Sequence, residues 1–170
     1  KADRSAPDTI TKTDETISKK ADGTISGITA NMEYRKEGES TYEAVNSSVL
    51  ENLAAGKYYV RYQEDSNHNP SADTEIIIAA GSKLRITVPK NTVGYTVTTT
   101  ADEVDYGGNV TITLTLHDGY SKTDAFKLLS NGSDRTQHLS NNGTTLDRVG
   151  MVEDIVITVE GIADITAPTA

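Results

Sequence analysis

The chain has no cysteine, no tryptophan, a single phenylalanine and only four prolines among its 170 residues. Without cysteine there is no disulfide framework, no thiolate zinc site and no cysteine nucleophile, so a metal could be held only by His or oxygen ligands. No run approaches the roughly 18 consecutive apolar residues of a membrane span. No basic segment followed by an apolar stretch marks a secretory signal. Membrane insertion is therefore not expected. The chain begins at Lys1 rather than Met, as expected of a processed product or a piece of something longer.

Basic residues are also in short supply. The formal net charge is -9 and the isoelectric point near 4.7, so the surface should repel phosphate backbones and nucleic acid is not an expected partner. Both signs are interspersed, and no run of five like charges marks a disordered acidic tail. What is abundant is threonine, about one residue in seven, accompanied by Val, Ile and eight Tyr. These residues fit a pleated, half-buried surface, and the composition predicts an all-β protein.

Gly, Asn, Asp and Ser clusters punctuate the chain at short intervals, among them Asp22-Gly23, Ala55-Gly56, Gly107-Gly108, Asn131-Gly132 and Asn142-Gly143. Short strands between such turns predict a sandwich or barrel. Tyr58, Val60 and Tyr62 alternate with Lys57, Arg61 and Gln63; Leu84, Ile86 and Val88 alternate with Lys83, Arg85 and Thr87. Val110, Ile112, Leu114 and Leu116 alternate with threonines, and Ile155, Ile157 and Val159 with Val156 and Thr158. Each pattern predicts a strand with one face on a core. No helix is expected beyond a single turn between Tyr42 and Leu53. No strands are assigned at 127–149, where Arg135-Thr136-Gln137-His138 gives a poor pattern. Pro89 closes one strand and a fresh one starts after Gly94, which predicts two modules, 1–89 and 90–162. The opening Ala2-Asp3-Arg4-Ser5-Ala6-Pro7 is echoed by Ala163-Asp164-Ile165-Thr166-Ala167-Pro168. Such an echo is expected of tandem repeats cut at a shared linker, here 163–170.

Leu53-Ala54-Ala55-Gly56-Lys57-Tyr58-Tyr59-Val60-Arg61-Tyr62 resembles the Tyr-rich strand of fibronectin type III and related immunoglobulin-like domains. In those domains a Tyr packs at the sandwich corner and bonds backbone with its hydroxyl. Spacing from Leu53 favours Tyr59 for this role, inward alternation favours Tyr58. Asp22-Gly23-Thr24-Ile25-Ser26-Gly27, Met32-Glu33-Tyr34-Arg35 and Asp154-Ile155-Val156-Ile157-Thr158-Val159-Glu160-Gly161 extend the likeness. They resemble repeated modules of large surface proteins of Gram-positive, often gut-dwelling, bacteria. The resemblance implies two small immunoglobulin-like β-sandwich modules in tandem, secreted or on the cell surface. It also implies a non-catalytic stalk or spacer with a role in adhesion, whose partners are neighbouring repeats. The alternative is a specific binding module for a host glycan or a host protein such as an immunoglobulin.

No catalytic motif is present, and neither enzyme activity nor a cofactor is expected. His68, His117 and His138 lie far apart, where a zinc site needs three or four converging ligands. Adjacent acids such as Asp14/Glu15, Asp102/Glu103 and Glu153/Asp154 should point to opposite faces of a strand rather than across a cleft, as glycoside hydrolysis would require. Asp65, Asn67 and Asn69 place oxygens at alternating positions, as a calcium loop does, but without the sixth-position Gly and twelfth-position acid of an EF-hand; a polar turn is the favoured reading. Tyr59, Tyr106 and Tyr120 are the candidate stacking platforms for a glycan, weighed against a core or corner role. Asn46, Asn109, Asn131 and Asn142 each open an Asn-x-Ser/Thr or similar motif, and Lys12 and Lys83 are candidates for an isopeptide bond, for which no partner is singled out.

Overall fold

In a computed structural model, residues 1–166 are described and form two compact units, Lys1–Ser82 and Lys83 onward. Both are built from strands, and the described residues contain no α-helix.

The first unit has seven strands: β1 (Thr11–Thr13), β2 (Gly23–Ser26), β3 (Met32–Lys36), β4 (Glu43–Ala44), β5 (Val49–Leu53), β6 (Gly56–Tyr62) and β7 (Thr74–Ile78). They form two antiparallel sheets, in the orders β1-β2-β5 and β4-β3-β6-β7. The alternation read from β6 holds, since Tyr58 and Val60 are buried while Lys57 and Arg61 face out. Ile25, Ile28, Met32, Val45, Tyr58, Val60, Ile76 and Ile78 make one apolar core. The Tyr58 hydroxyl donates to the Ala54 carbonyl at 2.8 Å. Of the paired tyrosines, Tyr58 turns inward and Tyr59 outward. The segment Tyr42 to Leu53 carries β4 and β5 rather than a helical turn.

The second unit contains β8 (Leu84–Thr87), β9 (Tyr95–Thr99), β10 (Glu103–Val104), β11 (Val110–Leu116), β12 (Tyr120–Ser130), β13 (Ser133–Asp134), β14 (Thr145–Arg148) and β15 (Ile155–Asp164). Its sheets run β10-β8-β15-β12-β13 and β14-β11-β9. Ile112, Leu114, Leu128, Ile155 and Ile157 are almost fully buried in it.

The division between units falls at Ser82/Lys83, not at Pro89. Strand β8 pairs in parallel with β15 (Ile86 opposite Ile155) and antiparallel with β10 (Leu84 opposite Val104), and the Arg85 N–H donates to Asp154 Oδ1 at 2.8 Å. Pro89 does end this strand, but its sheet partner lies some 70 residues further along, and local punctuation carries no record of that. The ends also differ from the expected linkers. Ala2 exchanges backbone hydrogen bonds with Asn67 and Asn69, Pro7 is buried, and β15 runs on to Asp164 opposite Tyr120. Ala2, Asp3, Arg4, Pro7, Ala163 and Asp164 thus have partners within their units; Ala167-Pro168 lie outside the described residues. The unassigned stretch 127–149 proves to hold the end of β12, β13, a 3-10 turn at Thr136–His138 and β14.

Candidate functional site

The outer face of the β4-β3-β6-β7 sheet concentrates charge and aromatic surface in the first unit. Outward positions alternate along β3 and β6, so Glu33 and Arg35 stand opposite Arg61 and Tyr59. The Arg35 guanidinium lies 4.3 Å from the centre of the Tyr59 ring and 5.2 Å from that of Tyr42, and Arg61 lies 3.7 Å over Tyr42. Tyr42 precedes β4 and reaches across this face to donate its hydroxyl to Asp73, with oxygens at 2.7 and 2.8 Å. Arg61 Nε donates to Glu33 at 2.7 Å, Arg35 is 3.8 Å from Asp73, and Lys57 is 3.1 Å from Glu75. Burial and then the bond to Asp73 push the Tyr42 phenol up from its ordinary range. Cations are therefore stacked on rings and paired with acids within the face. Tyr59 serves as a seat for Arg35, and the face behaves as a self-satisfied charged ladder. Tyr42 had no signal in the sequence, because a loop residue's reach across a sheet depends on the turn that carries it.

The other two tyrosines named from the sequence lie at opposite ends of β11, whose seven residues span about 23 Å at the usual rise. The Tyr120 ring rests on the backbone of Gly94, which has φ +83° and where a Cβ would meet the ring at 2.2 Å. That position needs glycine twice over, for the left-handed backbone and for the close approach. Tyr106 is different: it is 38% exposed and sits on a turn beside Val149 (78%) and Val152 (55%). The two loops are bonded by Gly107 N–H to the Met151 carbonyl (2.7 Å), Met151 N–H to the Gly108 carbonyl (2.9 Å) and Gly150 N–H to Asn109 Oδ1 (2.9 Å). Tyr59 belongs to the first unit, and within the second Tyr106 and Tyr120 lie at different ends of β11.

In the loop after β6, Asp65 Oδ1 accepts the N–H groups of Asn67 and His68, both at 2.8 Å. These bonds, the one from Asn67 foremost, hold its carboxyl at about 2. Arg4 adds an ion pair at 3.4 Å. Asn69 donates to Asp3 at 2.9 Å, and the Asn67 carbonyl accepts from Ala2. The polar atoms of Asp65, Asn67 and Asn69 thus close the loop and pin the N-terminal segment to it. Among the described residues no three His, Asp or Glu side chains gather as a metal site would require.

His117 is bonded to Thr96 at 2.8 Å, His68 to Asp65, and His138 is exposed in the 3-10 turn. Lys12 pairs with Asp14. A cleft of about 450 Å³ lies along β8, with Asp102 and Glu103 among its lining and Arg85 3.4 Å from Glu103. Compared with models of known protein families and with curated proteins, the chain matches none.

Proposed function

We propose that the chain is a pair of immunoglobulin-like β-sandwich modules acting as a non-catalytic spacer in a bacterial surface or secreted protein, with adjoining repeats as its partners. The observation that carries this reading is where the chain enters and leaves each unit. In the first unit Ala2 is bonded at the loop after Tyr62, while Ser82 follows Ile78, opposite Gly56; the seven residues of β6 between these ends span about 23 Å. In the second, the chain enters at Leu84 and leaves at Asp164, at the two ends of the ten-residue β15. Modules that are entered at one end and left at the other lengthen a chain when placed in series. Two further features support the immunoglobulin-like reading of the first unit: its three-plus-four antiparallel strand order and the Tyr58 bond to backbone upstream of its strand, a corner device of such sandwiches.

Stretching single chains held by their two ends tests this reading. The expected record is two separate unfolding steps, each releasing roughly 80 residues, or about 250 Å of contour. One step of twice that length would remove the picture of two modules in series.

A second reading, a binding module for a host glycan or protein, draws on the exposed Tyr106, Val149 and Val152. A glycan-array or pull-down signal that disappears in Tyr106→Ala would favour it over a pure spacer.

A further inference from the structure

The sequence contains two Asn-Gly pairs, Asn131-Gly132 and Asn142-Gly143, and the fold treats them oppositely. All four residues have positive φ, between 50° and 76°, a conformation that Asn and Gly adopt at low cost. Asn131 has its side-chain amide clamped at both ends: Nδ2 donates to the Asp154 carbonyl at 2.9 Å and Oδ1 accepts the Val156 N–H at 2.8 Å. Asn142 is exposed, at the apex of the turn closed by the Thr144 and Thr145 N–H groups on the Ser140 carbonyl. The turn's side-chain bonds come from its neighbours, with Asn141 donating to Thr145 and Thr144 to the Asn141 carbonyl. None of these bonds involves the Asn142 amide or the Gly143 N–H.

We propose that Asn142-Gly143 is a site of spontaneous deamidation in the folded protein and that Asn131-Gly132 is protected from it. In the reaction the Gly143 backbone nitrogen attacks Asn142 Cγ. The new C–N bond closes a five-membered imide, the Cγ–Nδ2 bond breaks, and the amide leaves as ammonia carrying the proton from the Gly143 nitrogen. Solvent water then opens the imide at either carbonyl, giving aspartate or isoaspartate. Glycine favours ring closure because no Cβ crowds the attacking nitrogen. Lys122 donates to the Gly143 carbonyl, so a cation stands beside the residue whose nitrogen must give up its proton. At Asn131 the same attack requires the amide to leave two hydrogen bonds first.

The test is to incubate the intact chain in mildly alkaline buffer and map the products. Cleavage after Lys127, Arg135 and Arg148 separates the two sites, placing Asn131 in peptide 128–135 and Asn142 in peptide 136–148. The expected result is a gain of about 1 Da per event and isoaspartate in peptide 136–148, with peptide 128–135 slower by at least about tenfold. In strong denaturant the two peptides should convert at similar rates, because the clamp on Asn131 is then gone. Asn142→Asp, which tolerates the positive φ and places no glycine after Asn141, should abolish the 1 Da gain in peptide 136–148. Equal rates in the folded chain, faster conversion of peptide 128–135, or no conversion of peptide 136–148 while the denatured chain converts would each overturn the proposal.

Discussion

At the scale of single residues, the clearest division of labour is between Tyr58 and Tyr59, neighbours that face opposite sides of one strand. Tyr58 is 4% exposed and its hydroxyl reaches the Ala54 carbonyl. Tyr58→Phe keeps the ring and removes only that bond, leaving the carbonyl without its partner, so the first unit should lose about 1 kcal/mol of stability. Tyr59→Phe, whose ring still seats Arg35, should change it by less than about 0.5 kcal/mol. Denaturant titration of the two variants compares them directly. Asp65 supplies a pH dependence whose sign follows from its partners. Its carboxyl is held at about 2 in the folded chain, below the roughly 3.9 of an unfolded Asp. The folded state therefore gains stability from it above about pH 4, and that gain is lost as pH falls toward 2. Asp65→Asn should flatten the acid limb of the first unit's stability curve; an unchanged slope would mean that the loop bonds contribute nothing.

At the scale of elements, β8 is where local pattern and tertiary partner part company. Its alternation, with Leu84 and Ile86 buried and Arg85 and Thr87 exposed, was legible in the sequence; its allegiance to the second unit was not. Ile86, 5% exposed and opposite Ile155, should therefore matter to the second unit alone. Ile86→Ala is expected to cost that unit about 2–4 kcal/mol and to leave the first unit's transition in place, as resolved by residue-specific hydrogen exchange. The reverse outcome would restore the boundary at Pro89. The stretch after Lys127 was illegible for a related reason. Its strands are short, a 3-10 turn divides them, and β12 shifts register against β15 between Lys122 and Lys127, so no long alternation survives to be read.

At the scale of the whole chain, the spacer reading rests on strand direction within each unit. Because β8 and β15 are parallel neighbours, pulling on the start of one and the end of the other loads their hydrogen bonds in shear, so they must break together. In the stretching experiment Ile86→Ala should lower the force of only one of the two steps, since forced release follows the unfolding rate of the unit that carries the substitution. The sequence by itself determined the all-β class, the inward faces of β6, β8, β11 and β15, and the absence of thiol chemistry, because each depends on residue identity and a period of two. Only the tertiary structure decided where the units divide, which of the paired tyrosines turns inward to bond backbone, that Tyr42 joins two arginines on one sheet face, and which Asn-Gly pair is clamped. Those outcomes depend on contacts between residues far apart in the chain, and local spacing holds no information about which distant segment will supply the partner.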